Sequence, residues 1–190
     1  KPVRTTPPAW AIGSPDSKGQ VVLTSINIDP PTQERFNVKM MTRWQEVEKN
    51  EVRYKGYFLD DAEYVVISYG TAGRISLSAV RASREQGLKI GLVRPISLSP
   101  FPAKVVDELA DRVKGFLVVE MSNGQMLDDI ISIVARRVPV EFYGRMGGMV
   151  PYPDEISKAI DSLVNGKHDV NIDARAEWLA GLRELVGTGE

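Results

Sequence analysis

Apolar and polar positions along the chain change rhythm near residue 62. Before it, the pattern is loose. Residues 1 to about 20 are rich in Pro, Gly, Ser and Thr and read as an irregular arm. "QVVLTSINI" (20–28) alternates enough for a short strand, and "DPPTQERF" offers a helix start. From there to Glu51 the stretch is charged, with Phe36, Met40, Trp44 and Val47 at helical spacing. A helix this polar bridges between parts of a protein or packs by one narrow stripe.

After residue 62 the rhythm is regular. "YVVIS" (64–68) is a continuous apolar run ending at Tyr69-Gly70. The next segment puts Ala72, Ile75, Ser76, Ala79, Val80 and Ser83 on one helical face, with Arg74, Arg81, Arg84 and Glu85 opposite and Leu77 as the exception. Gly87 stops it, and "KIGLV" (89–93) is the next strand. "RPISLSPFP" leads to a helix aligning Val105, Val106, Leu109, Ala110 and Val113. "FLVV" (116–119), the elbow "EMSNGQM", a helix over Met126–Arg136 and a strand-like "VPVEFY" (138–143) follow. Two more helices close the chain, one through Ile156, Ile160, Leu163 and Val164, one through Trp178, Leu182 and Leu185.

Strands apolar throughout, rather than alternating, belong to a sheet covered on both faces. Strands alternating with helices of about 12 residues imply βαβ units and a mostly parallel sheet. The expectation is a three-layer α/β/α domain over 60–190, its regular part running to about 165. An N-terminal arm, short strand and linker helix occupy 1–59.

Composition narrows the function. Of 190 residues 43% are apolar, and 24 basic residues meet 25 acidic ones, so no basic footprint of a nucleic-acid binder is present. Arg136–Arg137 and the run Arg74, Arg81, Arg84 read as solvated helix faces. Cysteine is absent, which excludes disulfides, thiolate nucleophiles and Cys-ligated Fe–S or zinc within these residues. The single histidine, His168, reads as an exposed bystander in a polar turn. No apolar stretch reaches the roughly 18 residues of a membrane span, and no secretion signal is visible, so a cytoplasmic location is expected. Lys1 and "KPVRTTPPAW" suggest a C-terminal piece of a longer polypeptide.

Ligands of open parallel sheets bind beyond the strands' carboxyl ends. The loops there are "SYGTAGR" (68–74), "RPISLSPFP" (94–102), "EMSNGQM" (120–126) and "YGRMGGM" (143–149). "YGTAGR" starts a helix whose N–H groups could receive an anion, or it is a tight turn with a Thr cap. It is neither a dinucleotide fingerprint nor a P-loop. The prolines of "RPISLSPFP" fit a rigid connector, with Pro102 opening the next helix. Glu120 is either a general base or a carboxylate that holds its turn by accepting backbone N–H bonds. No His, Cys or second carboxylate lies at motif spacing, and no triad or metal cluster is legible. "GRMGGM" is too glycine-rich for packing alone and suggests a flexible backbone or close approach of another chain.

Taken together, "DAEYVVISYGTAGRISLSAVRASREQGLKIGLVRPISLSPFPAKVV" and "GFLVVEMSNGQMLDDI" resemble the alpha-type subunit of 2-oxoacid:ferredoxin oxidoreductases. The 2-oxoisovalerate and 2-oxoglutarate types look most alike, over roughly residues 40 to 165, and "TRWQEVEKNEVRYKGYFLDDAE" resembles the segment preceding this domain. "ISLSPFP" departs from the family's more usual aromatic residue before "PFP". The resemblance implies a domain similar to the transketolase C-terminal domain, with a five-stranded mixed sheet and one antiparallel edge strand. It implies a part in converting a 2-oxoacid, CoA and oxidised ferredoxin to acyl-CoA, CO2 and reduced ferredoxin. Thiamine diphosphate, Mg²⁺ and Fe–S clusters would then sit on a pyrimidine-binding domain and on beta, gamma and ferredoxin-like delta subunits, with no cofactor and no catalytic residue on this chain. The motif positions carried over are Tyr69, Gly70, Thr71, Arg94, Pro95, Pro100, Pro102, Glu120, Asn123, Gly124 and Gln125. Their implied role is shaping subunit contacts around the active site. A stand-alone anion- or nucleotide-binding module is the alternative. A scaffold that dimerises through the 31–51 helix or the C-terminal helix is a third reading.

Overall fold

The computed structural model describes residues 25–166 and 169–187, together with Pro7 and Ala11. It divides into two units, Lys1–Glu46 and Val47–Glu190. The arm expected at 1–20, most of the strand expected at 20–28, and His168 lie outside the described residues. Where that strand is described, Ser25 to Ile28, the backbone is irregular. Helix α1 (Pro30–Asn50) forms as the spacing predicts, but it buries none of its residues, so its apolar stripe packs no core here.

The second unit is the expected three-layer α/β/α domain. Five strands, β1 (Tyr54–Tyr57), β2 (Tyr64–Ser68), β3 (Ile90–Pro95), β4 (Gly115–Glu120) and β5 (Val140–Gly144), pair in the order β1-β3-β2-β4-β5. All neighbours are parallel except β1, which runs antiparallel to β3. β1 comes from the segment the sequence assigned to the arm and linker. "YKGY" is short, polar and mostly exposed, so it carries no apolar run to mark it as a strand. Lys55 on an edge strand also discourages pairing with another sheet. The central strands bear out the two-sided burial: Val65, Val66 and Ile67 are fully buried, as are all six residues of β4.

Helices α2 (Gly70–Glu85) and α5 (Pro153–Asn165) cover one face against Val66, Ile90, Leu92, Leu117 and Val119. Helices α3 (Ala103–Ala110), α4 (Gln125–Val134) and α6 (Ala174–Val186) meet Val65, Ile67, Val93, Phe116 and Val118 on the other. The buried face of α2 is the one the spacing gave, and Leu77, the expected exception, is half-buried against the same core. Helix α4 ends two residues before Arg136, because Ala135 and Arg136 turn into the left-handed region (φ 49° and 61°). Arg137 is exposed as expected, but it is not a bare surface charge. It donates to the carbonyls of Val134 and Ile133 and pairs with Asp107 and Asp111 of the α3 segment, joining α4's C-terminal end to α3. Arg84 likewise pairs with Asp61 and donates to Ile90 O, tying α2 to the start of β3.

Candidate functional site

The chain leaves β2 for α2 on one face and leaves β4 for α4 on the other. β2 and β4 are adjacent, so their carboxyl ends bound the crevice where such sheets hold ligands. Two elbows meet there, and they are built differently.

At the β4–α4 elbow, Glu120 is fully buried at the strand end. Met126 N–H donates to its Oε2 (3.1 Å) and Leu127 N–H to its Oε1 (2.9 Å), while Ser122 Oγ donates to Oε2 (2.8 Å). A carboxylate thus sits on the positive end of α4, where an external anion would otherwise bind. Glu120 is the turn-holder, and the N-terminus of α4 is already occupied by the chain's own acid. Gly124 takes φ 101°, and a Cβ there would lie 3.1 Å from the Arg175 guanidinium. From α6, Arg175 donates through Nε to Asn123 O (2.8 Å) and through Nη2 to Gly124 O (2.7 Å), and it pairs with Asp128 (2.7 Å). Trp178 Nε1 donates to Gly144 O (2.9 Å), and its indole meets Phe142 edge-on. Asn123 and Gln125 side chains remain exposed.

The β2–α2 elbow is open. Tyr69 is the N-cap, with no side-chain capping bond, so the Thr cap expected at Thr71 does not form. Gly70 has φ 57°, with nothing within 4 Å of a Cβ. Gly70, Thr71, Arg74, Arg94, Pro95 and Ile96 line a cleft of about 380 Å³. The stem of Arg94 lies against Gly73, where a Cβ would stand 3.1 Å from its Cγ and 2.8 Å from Ser68 O. Burial, and then the charge of Glu120, push the Tyr69 phenol above its ordinary pKa. Ser68 Oγ donates to Val119 O and links β2 to β4 at the same edge.

The structure therefore groups Gly70, Thr71, Arg94 and Pro95 around one cleft and groups Glu120, Asn123 and Gly124 around the Arg175 clamp. Pro100 and Pro102 are buried instead at the start of α3, with Pro102 as its N-cap. The fourth loop begins at Arg145, whose N–H donates to Glu120 O. Sequence reasoning missed Arg145 and Arg175. Arg175 lies more than fifty residues from the carbonyls it holds, and no local spacing announces such a bond.

Among the described residues, no group of three or more His, Asp or Glu side chains could hold a metal ion, and the sequence has no cysteine for a cluster. The donor set does not fit an Fe–S cluster on these residues. No helix among the described residues is long and apolar enough to cross a membrane.

A mostly parallel five-stranded sheet of this order, with an antiparallel first edge and helices on both faces, defines an α/β domain whose fold recurs in oxidoreductases and transketolases. The family description "pyruvate:ferredoxin oxidoreductase core domain II" matches residues 62–156, half of the chain, and the chain belongs to that family. It is 42% identical over 140 residues to ketoisovalerate oxidoreductase subunit VorB of Methanothermobacter thermautotrophicus, covering 74% of this chain and 40% of that protein. It is 36% identical over 101 residues to 2-oxoglutarate synthase subunit KorA of Methanothermobacter marburgensis, covering 53% and 27%. The chain thus spans less than half the length of these relatives. In fold it is similar to a 2-oxoglutarate:ferredoxin oxidoreductase from Magnetococcus marinus, solved with 2-oxoglutarate, coenzyme A and succinyl-CoA bound (TM-score 0.63, 18% identity, 82% of this chain and 28% of that one). A split-gene transketolase, an inactive beta4 tetramer, is also similar (TM-score 0.52, 14% identity, 61% and 42%).

Proposed function

We propose that this chain is the assembly domain of the alpha-type subunit of a thiamine diphosphate-dependent 2-oxoacid:ferredoxin oxidoreductase. The complete enzyme converts a 2-oxoacid, CoA and oxidised ferredoxin to acyl-CoA, CO2 and reduced ferredoxin. The reading rests on the 42% identity to a ketoisovalerate oxidoreductase subunit across most of this chain. A branched-chain 2-oxoacid or 2-oxoglutarate is the substrate it favours, and the cytoplasm the location.

The geometry supports the division of labour. Glu120 is fully buried and both its oxygens accept from Met126, Leu127 and Ser122, so it is turned inward to hold the turn rather than outward to a substrate. Thiamine diphosphate, Mg²⁺ and the clusters belong to the pyrimidine-binding domain and the beta, gamma and delta subunits. The elbows, with Tyr69, Gly70, Thr71, Arg94, Pro95, Asn123 and Gln125, form the surface presented to those partners, while Pro100, Pro102, Glu120 and Gly124 hold its shape. The stand-alone anion module loses one of its two sites, since α4's N-terminus is filled from within.

The test is reconstitution. 2-Oxoacid-dependent reduction of ferredoxin is expected only when the subunit carrying these residues is combined with its partners and thiamine diphosphate. Decarboxylation of 2-oxoisovalerate by the 190-residue chain alone, with thiamine diphosphate and Mg²⁺ added, would overturn the proposal.

A further inference from the structure

Arg145 directly follows β5 at the sheet's carboxyl edge and is 7% exposed. Its Nε and Nη1 are shielded from solvent and have no hydrogen-bond partner among the described residues. Nη2 lies 3.6 Å from Glu155 Oε1, beyond hydrogen-bond distance, and the other oxygen of Glu155 accepts from Tyr152 N–H (2.9 Å). A guanidinium keeps its charge in proteins, so deprotonation cannot relieve this burial. A buried cation with two idle donors calls for an anion that the chain itself supplies only at arm's length.

The surroundings say what kind of anion. Met121, after β4, and Met146, Met149, Val150 and Tyr152, after β5, are exposed, with Tyr152 at 61%. Apolar side chains on the loops around a buried arginine make the anatomy of a protein interface: desolvating contacts with an arginine anchor. Further polypeptide is at hand, since the chain matches only 40% of a relative that is itself one subunit.

We propose that Arg145 is the anchor of a docking surface at the carboxyl ends of β4 and β5, and that it receives an Asp or Glu carboxylate from an adjoining polypeptide of the oxidoreductase. This rests on the assembly role above and names the chemistry of the partner. Nη2 and one of the idle donors, which share an edge of the guanidinium, would meet the two carboxylate oxygens, a geometry lysine cannot supply. Because Nε and Nη1 are shielded, the acid reaches them through a local rearrangement around Arg145, which docking drives. The free subunit therefore carries a buried guanidinium with idle donors, and the assembled one does not.

The test is R145M and R145K in the full subunit, with unfolding followed for that subunit alone and affinity measured for the remaining subunits. R145M is expected to leave the melting temperature unchanged or raise it, and to weaken assembly roughly 10-fold or more, as truncating a buried charge pair does. R145K keeps the charge, guards against a folding failure, and is expected to weaken assembly by a smaller factor. A lowered melting temperature for R145M with normal assembly by both variants would overturn the proposal, showing that Glu155 compensates Arg145 within the chain. Stabilisation of the subunit by acetate or phosphate, lost in R145M while assembly is unchanged, would overturn it in favour of a small-ion site. M121D and Y152D separate this from the broader reading. If they disrupt assembly and R145M and R145K do not, only the anchor fails. If none of the four affects assembly, this edge is not a docking surface and the assembly role assigned to it fails too.

Discussion

The two elbows at the crevice share a plan and differ in what fills it. Each carries a strand into a helix through a glycine in the left-handed region, Gly70 at φ 57° and Gly124 at φ 101°. Behind Gly124 the chain inserts a buried carboxylate and straps the turn with an arginine from α6. Behind Gly70 it leaves a cleft flanked by Arg74 and Arg94, with no capping side chain. A helix N-terminus is thus a site only when the chain has not already supplied the anion, and sequence spacing alone does not distinguish the two cases.

The contrast breaks most readily at Glu120. Glu120→Ala removes a buried acceptor from two backbone N–H groups and a hydroxyl. It is expected to destabilise the domain by about 3 kcal/mol in urea unfolding, the scale of orphaned buried groups facing a charge. The same variant vacates α4's N-terminus, so weak sulfate or phosphate binding should appear there, read as an anion-dependent rise in melting temperature. If the variant unfolds like the parent, the elbow is not held by its acid.

Glycine substitutions sharpen the comparison from the backbone side. Gly124→Ala meets both an unfavourable φ and the Arg175 guanidinium and should cost about 2 kcal/mol, whereas Gly70→Ala meets only the φ and should cost about 1 kcal/mol. Equal losses in chemical denaturation would mean that the clamp adds nothing to the tighter elbow.

Arg175→Met tests the strap itself. Its guanidinium is about one-third exposed, so the loss is expected near 1 kcal/mol, together with faster amide exchange at Asn123 to Asp128. Unchanged exchange there would rule out the strap.

The smallest effects are those of pH. Burial, and next the hydrogen bond and charge of Glu155, raise the Tyr143 phenol above its ordinary value near 10. Its contribution is present in full below pH 10 and is lost as pH rises through the folded pKa. Tyr143→Phe should flatten that alkaline decline. Lys114, then Lys89, lower the Glu63 carboxyl, so its contribution is present above the unfolded pKa and fades as pH falls through the folded one. Glu63→Gln should remove that part of the acid decline. A decline in unfolding free energy that is the same with and without each substitution would discount the pair concerned.

Legibility followed the range of the interaction. β2, β3 and β4 were readable because two-sided burial writes an apolar run into the sequence, and α2 because its buried face repeats at helical spacing. β1 was not, because an exposed edge strand is defined by pairing with β3 rather than by its own side chains. Glu120 at a strand end before Ser-Asn-Gly could be narrowed to two roles, and hydrogen bonds six and seven residues away decided between them. Arg137 and Arg84 looked like solvated charges, since an ion pair to a distant helix or turn leaves no periodic trace. Arg175 lay beyond reach for the same reason.

The position of α6 over β5 also bears on what shields the core at that side of the sheet. β5 pairs with a neighbour on one side only, and Trp178 ties α6 over its face through Gly144 O and Phe142. Truncation before Asp173 would bare Phe142 and the sheet face around it, and association through that apolar surface would compete with folding. Helix α6 is in that sense a cover for the core as much as a brace for the elbow.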